Sequence, residues 1–302
     1  MSLLNWLMLL FLGSIWGGSF VVAKVAVAEI PPLVLVFLRV LLAGAVLHLV
    51  LRARGLRFPT DRRTLRDFAV MGLLNNAIPF SLLFLGQTAI SASLASILNA
   101  TTPIFAFLVA ALWLGHEPVR LHRIAGVLVG LGGIAVLLSS SLTGLAHDPV
   151  WAQLACLGAA VSYGLSASWG RRFRGMPPLV TATGQMTAST VIMAPVALIS
   201  GLSWTPLETS LTAWGCVLAL ALIATAFAYL LFFRVLASAG ATNASVVTMI
   251  VPAVAVILGA LLLGESLTLT QTGGLGLLLA GLVVLDGRLF TRKTPVPTSL
   301  GA

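Results

Sequence analysis

The sequence predicts an all-α integral membrane protein whose ten transmembrane helices form two inverted five-helix repeats. Two features of its composition place the chain in a membrane: 59% of the 302 residues are hydrophobic and only 8% are charged. Soluble domains carry about 25% charged residues, so a water-soluble globule is excluded. A third observation, an internal sequence repeat, predicts how the helices are arranged.

The helices follow from the apolar runs between charged and turn-forming segments. A helix needs about 20 apolar residues to cross a bilayer. Reading the chain for such runs predicts ten spans, at roughly 4–24, 33–52, 68–88, 94–114, 123–140, 151–170, 178–200, 213–233, 241–263 and 271–286. Cys156 and Cys216 lie inside such runs, which excludes a secreted disulfide scaffold.

The net charge of +9 is explained by membrane orientation. The basic residues that fall in alternate loops and in the tail are Arg52, Arg54, Arg57, Arg62, Arg63, Arg66, Arg120, Arg123, Arg171, Arg172, Arg174, Arg234, Arg288, Arg292 and Lys293. Only Lys24 and Arg39 lie elsewhere. The positive-inside rule therefore predicts that both termini are cytoplasmic. Orientation alone accounts for the Arg-rich loop 52–66, so no nucleic-acid partner is expected.

The first helix has a rival interpretation as a signal peptide, because Ala26-Val27-Ala28 resembles a cleavage site. No Lys or Arg precedes Trp6, so the basic region of a signal peptide is missing. The internal repeat also requires this helix. We therefore interpret it as a transmembrane helix.

The repeat appears when the second half of the chain is aligned with the first. Residues 95–115 align with 244–264, and Pro31-Pro32 aligns with Pro177-Pro178, at a shift of about 148 residues. The predicted units are 1–145 and 146–290, followed by a cytoplasmic tail, 291–302. Because five helices are an odd number, the second unit begins on the opposite side of the membrane. Inverted repeats of this kind are typical of secondary transporters that alternate access.

Short motifs in the first unit are Trp16-Gly17-Gly18-Ser19-Phe20, Lys24, Pro31-Pro32, Arg39, Ala43, Pro103 and Leu114-Gly115-His116-Glu117. Together they resemble the EamA repeat of the drug/metabolite transporter superfamily. The second unit keeps Pro177-Pro178, Pro252 and Leu263-Gly264-Glu265, but Gln185 replaces Arg39 and Tyr163-Gly164 is the nearest match to the Trp-Gly pair. The resemblance implies ten helices in a bacterial inner membrane and export of small metabolites, with amino-acid exporters among the most similar proteins.

Polar or helix-breaking residues lie near the middle of six predicted helices. The candidate substrate-binding residues are Trp16, Ser19, Arg39, Asn75, Asn76, Phe80, Asn99, Thr101, Tyr163, Ser166, Thr225, Tyr229 and Thr248. The candidate breaks and hinges are Gly17, Gly18, Pro79, Pro103 and Pro252. The aromatic residues Phe84 and Phe227 are further candidates for lining a central cavity.

The mid-helix prolines support such a cavity. Each proline frees the carbonyl four residues earlier, which predicts free carbonyls at Asn75, Asn99 and Thr248. At this depth such groups are tolerated only inside protein or beside water. For any single polar residue, hydrogen bonding between helices is the alternative.

Arg39 lies about 9 Å inside its helix, at 1.5 Å per residue. It is a candidate for binding a substrate carboxylate in bidentate fashion. The alternatives are that it reaches outward to the membrane surface or pairs with Glu29. Lys24 lies closer to the surface and is expected to act as an anchor.

The acidic residues exclude several functions. They fall in loops or at span ends, as Glu29, Asp61, Asp67, Glu117, Asp148, Glu208, Glu265 and Asp286. A proton-driven drug exporter usually needs a central carboxylate, so facilitated diffusion or weak coupling is expected. No Asp, Glu, His and Cys residues cluster, so the sequence predicts neither an enzyme nor a metal or other cofactor.

Glycines at helical spacing in the fifth and tenth helices favour packing within one chain, and therefore a monomer, over dimerisation. The expected substrate is a small zwitterionic or neutral metabolite, such as an amino acid, and the expected environment is the lipid bilayer. A nucleotide-sugar carrier of the same fold is one alternative. A membrane receptor or scaffold that transports nothing is another.

Overall fold

The computed structural model describes residues 2–113, 120–142, 148–244 and 246–287. Its regular elements in these ranges are all helices, which we number by membrane crossing. They are α1 (Leu3–Ala26), α2 (Pro32–Ala53), α3 (Arg62–Gln87), α4 (92–113), α5 (Leu121–Leu142), α6 (Val150–Trp169), α7 (Pro178–Ser200), α8 (Leu211–Ala239), α9 (Ala241–Ala244 and Val247–Leu263) and α10 (Leu269–Asp286). In this part of the chain nine segments are long and apolar enough to cross a bilayer, and Val247–Leu263 is a shorter apolar helix.

In the described residues nine predicted spans are therefore confirmed as helices long enough to cross a bilayer, and the span predicted at 241–263 contains the shorter helix Val247–Leu263. Two predicted ends are misplaced. Helix α3 begins at Arg62 and not at residue 68, because the Asp61 carboxylate caps it by accepting the Thr64 N–H at 2.9 Å. Helix α8 continues to Ala239 and not to 233, where Gly240 ends it with a φ of 79°. In both places the helix extends beyond its apolar run, which hydropathy does not detect.

Several helices are irregular near the middle of the bundle. Helices α3 and α8, the third of each predicted half, contain π-helical segments at Leu73–Ala77 and Ala219–Phe227. Helix α4 is interrupted after Asn99 and resumes at Thr102, with Pro103 in the new first turn. Wider π-helical turns of this kind are frequent at functional sites.

Two predicted breaks differ from the structure. Pro252 lies inside the longer piece of α9, which continues through it from Val247 to Leu263, so the interruption of α9 is upstream of the proline. Helix α1 is unbroken at Gly17 and Gly18. A Cβ atom at Gly17 would lie 2.8 Å from the Val251 carbonyl oxygen, so this glycine allows α1 and α9 to pack closely.

The helix contacts follow a regular pattern. Helix α1 packs on α9 and α8, and correspondingly α6 packs on α4 and α3. Helix α2 packs on α8, and α7 packs on α3. The remaining principal pairs are α2 with α7 and α5 with α10. Exchanging the first five helices with the last five leaves these pairs unchanged, and α4 also packs on α9. The contact of α1 with α4, however, has no comparable counterpart between α6 and α9 in the described residues.

The glycine-rich helices α5 and α10 are packed against each other. A Cβ atom at Gly133 would lie 2.8 Å from the Leu278 nitrogen, and one at Gly281 would lie 2.8 Å from the Gly126 carbonyl oxygen. The two backbones are therefore in direct contact. These glycines serve packing within the chain, as predicted.

The two ends of the bundle differ in charge. At one end, which we call the basic end, the loop before α3 meets the loop after α6: the Phe68 and Phe173 rings stack with centroids 5.4 Å apart, and Arg172 lies 3.8 Å from Asp67. The arginines that precede or follow helices there include Arg52, Arg54, Arg57, Arg62, Arg63, Arg120, Arg171, Arg174 and Arg234. The opposite, acidic end carries Glu29, Asp148, Glu208 and Glu265.

Candidate functional site

Arg39 is the centre of the candidate site. Its side chain is buried, with a relative exposure of 6%, and its Nε donates to Thr225 Oγ1 on α8 at 2.8 Å. The guanidinium carbon lies 3.9 Å from the centroid of the Phe80 ring and 5.8 Å from that of Phe84. One face of the cation is thus covered by an aromatic ring, a favourable contact for a desolvated guanidinium.

The rest of this guanidinium has no protein partner among the described residues. No carboxylate lies within 4.0 Å of it there, and its two terminal nitrogens donate no hydrogen bond to that part of the chain. A buried cation is costly unless it is paired. Arg39 therefore lacks a counter-charge within the described part of the chain.

Both alternatives for Arg39 are wrong. The side chain does not reach the surface, and Glu29 is engaged elsewhere. The Glu29 carboxylate accepts the Ser210 N–H and the Ser210 hydroxyl, each at 2.7 Å, at the start of α8. Because both donors bind the charged form, the pKa of Glu29 lies below its ordinary value.

Lys24 is also engaged, as an anchor within the protein. Its Nζ donates to the carbonyl oxygens of Gln87 at 2.7 Å and Ile90 at 2.9 Å. Gln87 in turn donates to the Phe20 carbonyl at 2.8 Å. Lys24 therefore fastens α1 to the end of α3, where a cation stabilises the final carbonyls of a helix.

Asn75, in the π-helical part of α3, joins four helices through its side-chain amide. Its Nδ2 donates to Gln185 Oε1 at 3.0 Å and to the Tyr229 hydroxyl at 2.9 Å, and its Oδ1 accepts the Ser166 hydroxyl at 3.0 Å. Asn75 and Tyr229 are only half-buried. The network links α3 to α6, α7 and α8.

Asn76 extends the network on its buried side. It is fully buried, its Nδ2 donates to Ser189 Oγ at 3.1 Å, and its Oδ1 accepts the Tyr229 hydroxyl at 3.4 Å. Tyr163 and Tyr229 also lie within electrostatic range of Arg39. The amide and hydroxyl groups and the cation thus form one polar cluster, which we call the Arg39 cluster.

Trp16 lies at the α8 side of this cluster. Its Nε1 donates to the Ala224 carbonyl at 3.2 Å, one residue before Thr225, in the π-helical segment of α8. Its ring packs on Phe232 with centroids 5.6 Å apart. The structure therefore groups eight predicted residues besides Arg39: Trp16, Asn75, Asn76, Phe80, Tyr163, Ser166, Thr225 and Tyr229.

One predicted carbonyl is displaced by one residue. In a π-helix the backbone hydrogen bond runs from residue i to i−5, so Pro79 frees the carbonyl of Leu74 and not that of Asn75. The Ser162 hydroxyl donates to this Leu74 oxygen at 2.7 Å. At the other interruption the prediction is confirmed, since the Asn99 carbonyl accepts the Thr102 hydroxyl at 2.7 Å.

Sequence reasoning missed Gln185 and Ser189. The repeat alignment already placed Gln185 opposite Arg39, and this was the signal that pointed to it. Ser189 lies one helical turn further along α7 and donates to the Gly72 carbonyl at 3.0 Å. Both side chains are buried, with relative exposures of 2% and 0%.

Other predicted residues lie outside the cluster. The hydroxyls of Ser19 and Thr101 donate within their own helices, to the carbonyls of Trp16 and Leu98. Asn99 Oδ1 is buried without a hydrogen-bond partner in the described part of the chain. Thr248 is half-buried in the first turn of the longer piece of α9.

Phe227 was predicted to line a central cavity with the other candidate residues. It is 45% exposed and contacts Phe11 edge-on, away from the Arg39 cluster. It lines instead a groove of about 650 Å³ between α1, α2, α7 and α8. A second cavity, of about 170 Å³, lies between α1 and α8 beside Ser19 and Ala224. Neither of these two cavities is lined by Arg39 or Asn75.

Comparison with known proteins identifies the family. The model of the EamA-like transporter family matches residues 4–139 and again residues 150–285. The chain belongs to the EamA-like transporter family. Members of this family are membrane transporters, so this EamA-like protein is a multi-pass membrane transporter.

Individual relatives agree with this assignment. The protein is 30% identical to the "uncharacterized inner membrane transporter YedA" of Escherichia coli (strain K12), across 93% of this chain and 91% of YedA. It is 27% identical to the "uncharacterized transporter YvbV" of Bacillus subtilis (strain 168), across 95% and 93% of the two chains. A solved protein structure with 21% identity superposes with a TM-score of 0.65 over 96% of this chain and all of that one, which supports the fold.

The side chains of the Arg39 cluster are suited to non-covalent binding. Among the described residues no group of three or more His, Cys, Asp or Glu side chains is placed to hold a metal ion. What the cluster offers is one buried cation with free donors, amide and hydroxyl groups, and aromatic faces. Groups of these kinds are typical of sites that recognise small molecules by a few polar contacts beside apolar surface.

Proposed function

We propose that this transporter exports small zwitterionic metabolites, in particular amino acids with apolar or aromatic side chains, from the cytoplasm by alternating access. The observation that carries this proposal is the buried, carboxylate-free guanidinium of Arg39. Its terminal nitrogens are free to hold a substrate carboxylate with two parallel hydrogen bonds. Buried charge-assisted bonds of this kind contribute about 1.5–3 kcal/mol.

The rest of the cluster favours an amino acid over a more highly charged substrate. A single unpaired cation neutralises a single carboxylate, and Phe80 and Trp16 supply apolar surface beside it. A nucleotide sugar carries two phosphate charges and would need further cations. Among the described residues, Lys24 is the other basic residue away from the basic end, and it is already bound to the carbonyls of Gln87 and Ile90. We therefore place the nucleotide-sugar alternative second.

Alternating access rests on the proposed inverted repeat of units 1–145 and 146–290. Three observations support it: the sequence alignment of the two halves, the match of one family model to each half, and several helix pairs, such as α1 with α9 and α6 with α4, that correspond when the halves are exchanged. Such a bundle has two equivalent arrangements, each open to one side. In our proposal the basic end is cytoplasmic, together with both termini, and the transporter acts as a monomer in the bacterial inner membrane.

We further propose that transport is not strictly driven by protons. Within the described spans, the Arg39 cluster contains no carboxylate or histidine that titrates near neutral pH. The substrate gradient then provides the driving force. Its own carboxylate, not a protein acid, neutralises Arg39 during each crossing.

Reconstitution tests the proposal. Purified protein is reconstituted into proteoliposomes, and the vesicles are loaded with one labelled amino acid or sugar at a time from a panel. Efflux of the label is measured with and without a pH gradient. We expect apolar or aromatic amino acids to leave fastest and to need no pH gradient. Efflux confined to sugars, or an absolute need for a proton gradient, would overturn the proposal.

A substrate analogue makes the test specific for the carboxylate. Phenylalanine and phenethylamine share the ring and the amine, but phenethylamine lacks the carboxylate. We expect the protein to carry phenylalanine and to reject phenethylamine. Equal transport of both compounds would remove Arg39 from its proposed role, and folded protein without any flux would favour a receptor or scaffold.

A further inference from the structure

The 650 Å³ groove is separate from the Arg39 cluster and has a composition of its own. It lies in the half of the bundle near the basic end. Its lining residues are Leu4 and Met8 of α1, Val50 of α2, Arg54 after α2, Leu179 of α7, and Phe227, Leu230, Leu231 and Arg234 of α8. Seven of these nine side chains are apolar, and the other two are arginines.

The two arginines line the groove toward the basic end of the bundle. Arg54 follows the end of α2, and Arg234 lies in the last turns of α8. Both are exposed, and neither has an ion pair or a side-chain hydrogen bond to the described residues. Two free cations at one opening attract an anionic group.

The apolar part of the groove faces the membrane. Its lining residues Leu4 on α1 and Phe227 on α8 are 59% and 45% exposed. The wall formed by α1 continues into an apolar surface that includes Leu7 and Phe11, each more than half exposed. Seven residues separate Phe227 from Arg234, so the groove runs for about 10 Å along α8 at 1.5 Å per residue. It is therefore an apolar channel along the membrane with cations only at its surface end.

We propose that this groove is a binding site for one anionic phospholipid of the leaflet at the basic end. An acyl chain lies along Leu4, Leu230 and Phe227, and the phosphate lies between Arg54 and Arg234. Pockets that are basic at the headgroup level and apolar below it match the two parts of such a lipid. The proposal requires only that the protein spans a bilayer, and it is independent of any role of Arg39.

The test measures lipid retention on the full-length protein. Protein purified in mild detergent is titrated with phosphatidylglycerol or with zwitterionic phosphatidylcholine, and bound lipids are counted by native mass spectrometry. We expect one phosphatidylglycerol to be retained preferentially. In the double variant R54Q/R234Q its affinity falls about tenfold or more, since each basic residue near an anionic surface contributes about 1 kcal/mol.

Two further variants separate this site from general charge. R57Q/R174Q removes the same net charge from exposed arginines at the same end of the bundle, and we expect phosphatidylglycerol retention to be unchanged. Leu230→Trp fills the apolar groove without changing charge, and we expect it to lower retention. A photoactivatable group on the acyl chain is expected to crosslink to residues 4–8 of α1 or 227–231 of α8.

Several results would overturn the proposal. These are equal affinity for phosphatidylcholine, an equal loss in R57Q/R174Q and R54Q/R234Q, or crosslinks outside the groove. Displacement of the lipid by a transported amino acid would show that the groove is a substrate entrance instead. The lipid measurement does not depend on the proteoliposome transport test. Either proposal can therefore be wrong while the other holds.

Discussion

Arg39 on α2 and Thr225 on α8 are joined by a hydrogen bond of 2.8 Å between Nε and Oγ1. The Thr225 hydroxyl in turn donates to the Leu220 carbonyl at 2.8 Å, five residues earlier in the π-helical segment. This segment therefore orients the threonine that fixes Arg39. The terminal nitrogens of the guanidinium, which this bond leaves free, provide the group that the proposed mechanism uses.

The first prediction concerns Arg39 itself. We expect R39M to slow transport of a carboxylated substrate at least tenfold, because a charge-assisted hydrogen bond of about 1.5–3 kcal/mol is lost. R39K keeps the charge but loses the bidentate geometry, so its transport rate should fall between those of the wild type and R39M. Efflux from proteoliposomes measures the rates.

Thermal unfolding separates a binding role for Arg39 from a structural role. Removing a buried cation that has no counter-charge should leave the melting temperature of R39M unchanged or raise it. R57Q, in an exposed loop, is the control and should match the wild type in both assays. A melting temperature lowered together with the rate would contradict the binding role.

The second prediction compares two asparagines. N75A removes an amide that makes three side-chain hydrogen bonds, and we expect it to destabilise the protein by about 1–3 kcal/mol. N99A removes an amide whose oxygen is already unpaired, so its cost should be below about 1 kcal/mol. Unfolding in a common detergent measures both variants. Equal costs would show that the Asn75 network contributes no stability.

The third prediction concerns the contact between Glu265 and the start of α4 at the acidic end. The Glu265 carboxylate accepts the N–H groups of Ala92 at 2.7 Å and Ser93 at 2.9 Å, and the Ser93 hydroxyl at 2.5 Å. It thereby caps α4 from the loop between α9 and α10. We expect E265Q to raise amide hydrogen exchange at Ala92 and Ser93 about tenfold, since a charged cap contributes about 1–2 kcal/mol.

Glu208 provides the matched control for this experiment. It lies at the same end, outside the membrane-spanning helices, and its exposed side chain does not contact α4 in the described structure. E208Q should leave exchange at residues 92–93 unchanged. An equal rise in both variants would mean that net charge, and not the cap, controls this end.

The fourth prediction uses adjacent glycines of α5. A Cβ atom at Gly133 would meet the Leu278 nitrogen at 2.8 Å and the Gly274 carbonyl oxygen at 2.9 Å, whereas one at Gly132 has nothing within 4 Å. We expect G133A to destabilise the α5 and α10 pair by about 1–3 kcal/mol. G132A should be neutral or stabilise by up to about 1 kcal/mol, because alanine favours a helix. If the two variants unfold alike, these helices do not pack as described.

The membrane helices were predictable because hydropathy is a local property. Nine spans and the shorter helix Val247–Leu263 appear in the described residues, and the errors at Arg62 and Ala239 arise where a helix continues into polar sequence. The Arg39 cluster was predicted in part, because proline, asparagine and arginine in an apolar run are visible in the sequence.

The other details depend on contacts between distant parts of the chain. The π-helical segment moved the freed carbonyl from Asn75 to Leu74, and no sequence pattern indicates such a one-residue change. The pairing of Glu29 with Ser210 joins residues far apart in the chain, which local sequence reasoning did not find. Gln185 was aligned with Arg39 but was not recognised as a partner of Asn75, because its side chain meets Asn75 only when α3 and α7 pack.

The most direct measurement of the central claim is a structure of the protein in a lipid nanodisc with its transported substrate bound. We predict density for the substrate carboxylate within hydrogen-bonding distance of both terminal nitrogens of Arg39, with the apolar part near Phe80 and Trp16. Substrate ordered elsewhere in the bundle, with Arg39 paired to a protein carboxylate, would contradict the account.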